Sequence, residues 1–268
     1  MSSSLMQQQP GPDRALARPG AWVDLGLTLP IFLVYQLAVV FLGVQNATDM
    51  VTGQLLRLSA GNRETYLLVT FAIGVVFAAT FGLLGRGQAF RPRKFLQIAI
   101  EGIVYAVVMR IAAAYIVGRV FASTAGTIKD EGRFVGFIMS LGAGFYEELA
   151  FRVVLFGLGA KILVWLFARE KVALTGTDVF TGATGAPRVT TKKSKLGAAL
   201  IMLAWAVVCA IIFSGVHYVG PMSDSFEMPS FVFRAVLGLA LTLIFVTRGF
   251  AAAVWTHTVY DVWVLVFN

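Results

Sequence analysis

The 268-residue chain holds only two histidines, His217 and His257, and both lie in apolar surroundings beside other groups able to handle protons. Three clusters stand out: Glu147-Glu148-Leu149-Ala150-Phe151-Arg152, Phe213-Ser214-Gly215-Val216-His217 and His257-Thr258-Val259-Tyr260-Asp261. On a helix, Glu148 and Arg152 are four apart and share a face, so the plainest reading of that cluster is an internal ion pair. The pairing leaves out Glu147, which points about 100° away around the helix and has no local cation. A carboxylate so placed suits a general base, taking a proton from water as the water attacks. His257 and Asp261 are again four apart, an oriented pair that either stiffens the structure or points jointly at a reacting group. One or two Glu with two His could also hold zinc beside a water, but the compact His-Glu-x-x-His helix of zinc peptidases is absent. Covalent chemistry has less support. Ser214 has no base assigned to it, and Cys209, the single cysteine, lies about two turns before His217 with nothing to activate it.

Composition makes the elements carrying these clusters membrane helices. Only 13% of residues are charged, where a soluble domain carries roughly 25%. The apolar share is 58% and the mean hydropathy +0.79. No soluble fold of this size covers so much apolar surface, since over half of an ordinary surface is already apolar. A soluble enzyme, a disordered chain and a disulfide scaffold are thereby excluded. A bilayer-spanning helix needs about 20 mostly apolar residues. Seven such stretches occur, at 22–44, 64–85, 95–121, 134–168, 196–219, 230–247 and 249–267. The expected fold is all-α, a polytopic transmembrane helix bundle of about seven spans. The fourth is too long for one perpendicular crossing: it is either tilted or broken near Gly142 and Gly144, and a break would make its first part re-entrant or interfacial or hide an eighth span. Residues 1–21 read as a flexible cytosolic tail without a cleaved leader, and 22–133 as N-terminal transmembrane helices. Residues 134–268 form the expected catalytic core, interrupted by a flexible loop at 172–195 rich in Gly, Thr and Lys.

The net charge of +8 follows the same logic. Alternate loops carry thirteen basic residues on one side of the expected bundle and four on the other. Basic loops stay in the cytoplasm, which puts the N-terminus inside. They serve topology and anionic lipid, not nucleic acid, for which no module is present. A proton transporter would also need intramembrane charges, but no inverted repeat or pair of broken helices supports one.

Together, the three clusters resemble the CPBP family of intramembrane proteases, which includes the CAAX prenyl endopeptidases and the bacterial Abi proteins. The family pattern is Glu-Glu-x-x-x-Arg, then Phe-x-x-x-His, then His-x-x-x-Asn or Asp on successive membrane helices. The chain has it in order as Glu147, Glu148 and Arg152; Phe213 and His217; His257 and Asp261. The resemblance spans about residues 134–267. It implies a metal-independent glutamate endopeptidase with no cofactor, zinc being the less favoured alternative, acting on a membrane-associated protein or peptide. It also implies roles: Glu147 as base on the water, helped by His217, and His257, held by Asp261, as donor to the oxyanion. Glu148 and Arg152 would support the helix presenting Glu147, and Phe213 would pack on His217. Asp261 departs from the Asn of many CAAX enzymes: an ionised Asp cannot donate to an oxyanion, so Asp261 would orient His257 or be protonated itself. Among family roles, a bacterial protease that cuts C-terminal anchors from exported proteins is favoured. A CAAX prenyl endopeptidase and a non-catalytic immunity or interaction protein are the alternatives. The expected location is a bacterial inner membrane.

Overall fold

The computed structural model describes residues 20–120, 132–168, 172–174, 187–189, 195–220 and 223–267. Among these, eight helices follow in order: α1 (Ala21–Val39), α2 (Val51–Leu58), α3 (Arg63–Leu84), α4 (Pro92–Val120), α5 (Arg133–Phe167), α6 (Lys195–Gly215), α7 (Met228–Arg248) and α8 (Phe250–Val266). A 3-10 turn, Val216–Tyr218, extends α6. Six are long and apolar enough to cross a membrane, and α8 is a shorter apolar helix of 17 residues. At 1.5 Å per residue α8 rises about 26 Å, short of the roughly 30 Å hydrocarbon core. Its burial explains how a short helix suffices. Phe250, Ala251, Ala252, Ala253 and Val254 are all fully buried, and α1, α4, α5 and α7 pack around α8.

Local signals set several helix ends. Asn62 caps α3 by accepting from the Thr65 backbone N–H at 3.0 Å. Pro92 opens α4 and Pro229 lies in the first turn of α7, positions where a missing N–H costs nothing. Between helices, lipid tails offer no hydrophobic driving force, so close fit decides the packing. A Cβ on Gly144 would collide with the Thr258 hydroxyl, so its absence lets α5 lie directly against α8 beside the Glu147–Glu148 pair.

Two expectations change, and of the two readings of the fourth span the unbroken one holds. It does not break at Gly142 and Gly144. Arg133–Phe167 runs as one 35-residue helix whose α-geometry gives way to wider π-turns at Ala143–Glu147 and Leu149–Leu158. Such i→i+5 turns recur at functional sites, where they re-aim side chains. The region expected to be loop after span one contains α2. The 172–195 loop, expected to be unstructured, contains the antiparallel strands β1 (Val172–Leu174) and β2 (Pro187–Val189), with Ala173 opposite Arg188. The rest of that loop, apart from Lys195, lies outside the described residues, as does the expected tail up to Pro19.

The bundle has two chemically distinct ends. At one, Asp24 of α1 accepts the first N–H groups of α8, Phe250 N at 2.7 Å and Ala251 N at 3.2 Å. Gly249 makes this junction possible. Its φ is +107°, and any Cβ there would stand 2.5 Å from the Asp24 carboxylate. Arg248 pairs with Glu101 nearby at 2.7 Å. The three sequence clusters converge toward the other end, where α1 and α6 finish.

Candidate active site

The adjacent glutamates of α5 serve two different partners. Glu147 turns toward α6, with Oε2 standing 3.9 Å from Nε2 of His217. The His217 side chain is 27% exposed and that of Glu147 12%, so the pair lies at the edge of the protein interior. His217 Nδ1–H donates to the Phe213 carbonyl at 2.9 Å, the bond that an i, i−4 spacing at a helix end allows. In a neutral ring that leaves Nε2 as the acceptor facing Glu147. The second Glu147 oxygen, Oε1, accepts from Asn46 Nδ2 at 3.0 Å. Oε2 is buried and makes no hydrogen bond among the described residues.

Glu148 turns toward α8. Its Oε2 lies 3.0 Å from Arg152 Nε, and both side chains are fully buried, as the i, i+4 spacing predicts. Its Oε1 accepts from His257 Nδ1 at 2.8 Å, a bond the sequence reading lacked. Asp261 was expected to hold His257. It stands 3.4 Å from Nε2, so Glu148 makes the tighter contact and Asp261 the looser one. The physical reason is position: Glu148 reaches His257 directly across the α5–α8 contact, while Asp261 must reach along its own helix.

Phe213 joins the two pairs. Its ring meets His217 at 5.3 Å and His257 at 6.0 Å between centroids, both edge-on, and Phe151 at 5.2 Å. The Arg152 guanidinium lies over the same ring, 4.6 Å from its centre. This cation–π contact gives the buried cation a second favourable surface, since its terminal nitrogens make no hydrogen bond among the described residues.

All seven residues singled out from the sequence therefore meet in one place: Glu147, Glu148, Arg152, Phe213, His217, His257 and Asp261. Ser214 does not join them, because its hydroxyl donates to the Phe231 carbonyl at 2.7 Å. Cys209 is fully buried in the core. Among the described residues, no group of three or more His, Cys, Asp or Glu side chains is arranged to hold a metal ion.

The residue missed is Asn46. It lies after α1, where the sequence predicts a loop, and its only local mark is a Thr two residues on, a pattern that favours an Asx turn. The site is thus a pair of carboxylate–histidine contacts sharing one aromatic ring, with one carboxylate oxygen and one ring nitrogen left facing each other. In comparisons with known proteins, residues 131–263 match a family model described as type II CAAX prenyl endopeptidase Rce1-like. No curated protein and no solved structure matches the chain.

Proposed function

Since residues 131–263 belong to the Rce1-like family of type II CAAX prenyl endopeptidases, a family of proteases, we propose that the protein hydrolyses a peptide bond of a membrane-associated substrate with water activated by Glu147 and His217. One observation carries this reading. Glu147 Oε2 and His217 Nε2 face each other at 3.9 Å, while their companion atoms are tied to Asn46 and to the Phe213 carbonyl. That gap is too long for a direct hydrogen bond. A water about 2.8 Å from each would donate one proton to each acceptor and keep a lone pair for the substrate carbonyl. As the water oxygen bonds to carbon, Glu147 takes its proton, and the proton then passes to the departing amine.

The developing oxyanion needs a donor. Glu148 accepts from His257 Nδ1–H and Asp261 stands 3.4 Å from Nε2. Between two carboxylates the ring is read as an imidazolium, whose Nε2–H is then the donor to the oxyanion while the looser Asp261 contact orients it without locking it. Arg152 neutralises Glu148 and so keeps the ring's anchor in place. The mechanism uses no metal. Glu147 Oε2 and His217 Nε2 are the acceptors left facing each other, an arrangement that supports water activation by side chains alone.

The thirteen-to-four bias of basic residues supports a cytoplasmic N-terminus and, with it, a site toward the outer face. Exported or membrane-anchored proteins, such as those with a C-terminal anchor in a bacterial inner membrane, are the substrates this orientation favours. The family's own description favours the second reading, a prenylated CAAX substrate. Quantitative membrane proteomics of cells carrying wild-type protein or Glu147→Gln separates these. Uncut, anchored proteins accumulating in the variant support the first, and uncut prenylated proteins the second. Identical proteomes would remove peptide hydrolysis as the function.

A further inference from the structure

The segment that precedes the family match also reaches the catalytic carboxylate. Asn46, only 7% exposed, donates from Nδ2 to Glu147 Oε1 across 101 residues of sequence. Its amide cannot be turned the other way round. The Oδ1 edge accepts from the Thr48 backbone N–H at 2.9 Å and from the Thr48 hydroxyl at 2.6 Å, so the edge facing Glu147 is the NH2.

The Asn46 backbone is fixed as well. Its N–H donates to the Tyr35 hydroxyl at 3.0 Å, and that hydroxyl donates in turn to Asp49 Oδ2 at 3.0 Å. Asp49 Oδ1 accepts the first N–H groups of α2, from Val51 and Thr52, both at 2.9 Å. The Thr52 hydroxyl lies 3.1 Å from Gln36 Oε1, which also accepts from the Tyr146 hydroxyl at 3.0 Å. Tyr146 is the residue before Glu147. A buried polar ring therefore starts at the backbone position next to Glu147 and returns, through α1 and the turn into α2, to the Glu147 side chain.

We propose that Asn46 is a positioning residue for hydrolysis, holding Glu147 Oε1 so that Oε2 is presented to the water shared with His217. The inference rests on the endopeptidase reading above. A glutamate side chain has three rotatable torsions, and a misplacement of about 1 Å costs roughly 100-fold in rate. A neutral amide suits this task better than Lys or Arg would. It fixes the carboxylate without pairing its charge, so Glu147 keeps a full negative charge to draw a proton from water. It also gives α2 and the polar ring a catalytic purpose that the family match, starting at residue 131, does not supply.

The test uses the full chain purified in detergent, with the membrane protein that accumulates uncut in the Glu147→Gln cells as substrate. Asn46→Ala should lower kcat about 10- to 100-fold with KM within about twofold. Asn46→Asp replaces the donor with a second carboxylate, and a proton bound by that pair restores one donor. Its activity relative to wild type should therefore rise as pH falls, whereas a merely structural defect leaves the ratio flat. Thermal unfolding supplies a readout that needs no substrate: the Tm loss caused by Asn46→Ala should shrink when Glu147 is already Ala. Unchanged kcat in Asn46→Ala, a flat pH ratio in Asn46→Asp, or additive Tm losses would each overturn the inference. If Glu147→Gln itself leaves cleavage intact, the endopeptidase reading is what fails.

Discussion

Glu148 accepts a hydrogen bond from His257 at 2.8 Å across 109 residues of sequence, while its neighbour Glu147 faces His217 on another helix. Two consecutive carboxylates thus organise two histidines. Glu148 is fully buried, neutralised by Arg152 and committed to holding a ring. Glu147 is at the protein's edge, with one oxygen that no donor among the described residues reaches. Wide π-turns in α5, on either side of Glu148, accompany this division, as such turns often do at functional sites.

Glu147→Gln should give a folded protein with essentially no proteolysis, because an amide takes no proton from water. Loss of a general base is worth roughly 10²–10⁴ in rate. His217→Ala should be comparably severe. Cleavage assays on purified, monodisperse variants check both, and near-normal rates in Glu147→Gln would remove it as the base.

Glu148→Gln should reduce stability as well as activity, since it strands Arg152 in a fully buried site and loosens His257. Breaking such a pair costs about 3–5 kcal/mol. Combining Glu148→Gln with Arg152→Met removes the stranded cation, so the double variant should recover stability relative to the glutamine single variant. Thermal unfolding of both in detergent decides it; a double variant less stable than either single change contradicts the ion-pair account.

Strong chelators should leave the activity of the purified enzyme intact, because the proposed mechanism activates water with Glu147 and His217 alone. The check pairs activity after chelation with elemental analysis. Stoichiometric zinc that is lost and restored together with activity would replace this mechanism with a metal-assisted one.

Cysteine accessibility in a Cys209→Ala background tests the orientation. Ser223→Cys, exposed in the segment just beyond His217, should react with a membrane-impermeant reagent from outside intact cells. Arg93→Cys, at the basic start of α4, should react only after the membrane is opened. The reverse pattern would turn the site toward the cytoplasm and favour prenylated substrates.

Much of this was legible before folding. The apolar runs located the membrane helices, with ends within a few residues except in the first, which stops at Val39. The i, i+4 spacing announced the Glu148–Arg152 pair, and the Phe213–His217 contact lies within one turn, because a helix turns local spacing into proximity. The sequence left open whether α5 runs unbroken. Glycines at 142 and 144 suggested a break, yet they serve close approach, Gly142 to the Tyr35 ring and Gly144 to Thr258.

The sequence by itself determined which residue types could do chemistry and on which helices they ride. Tertiary structure alone decided their partners: Glu148 with His257, Glu147 with His217, and Asn46 with Glu147. Those contacts join residues some 70 to 110 positions apart, where no periodicity links one side chain to another. Only the packing of α1, α5, α6 and α8, set by small residues that let backbones approach, brings them together.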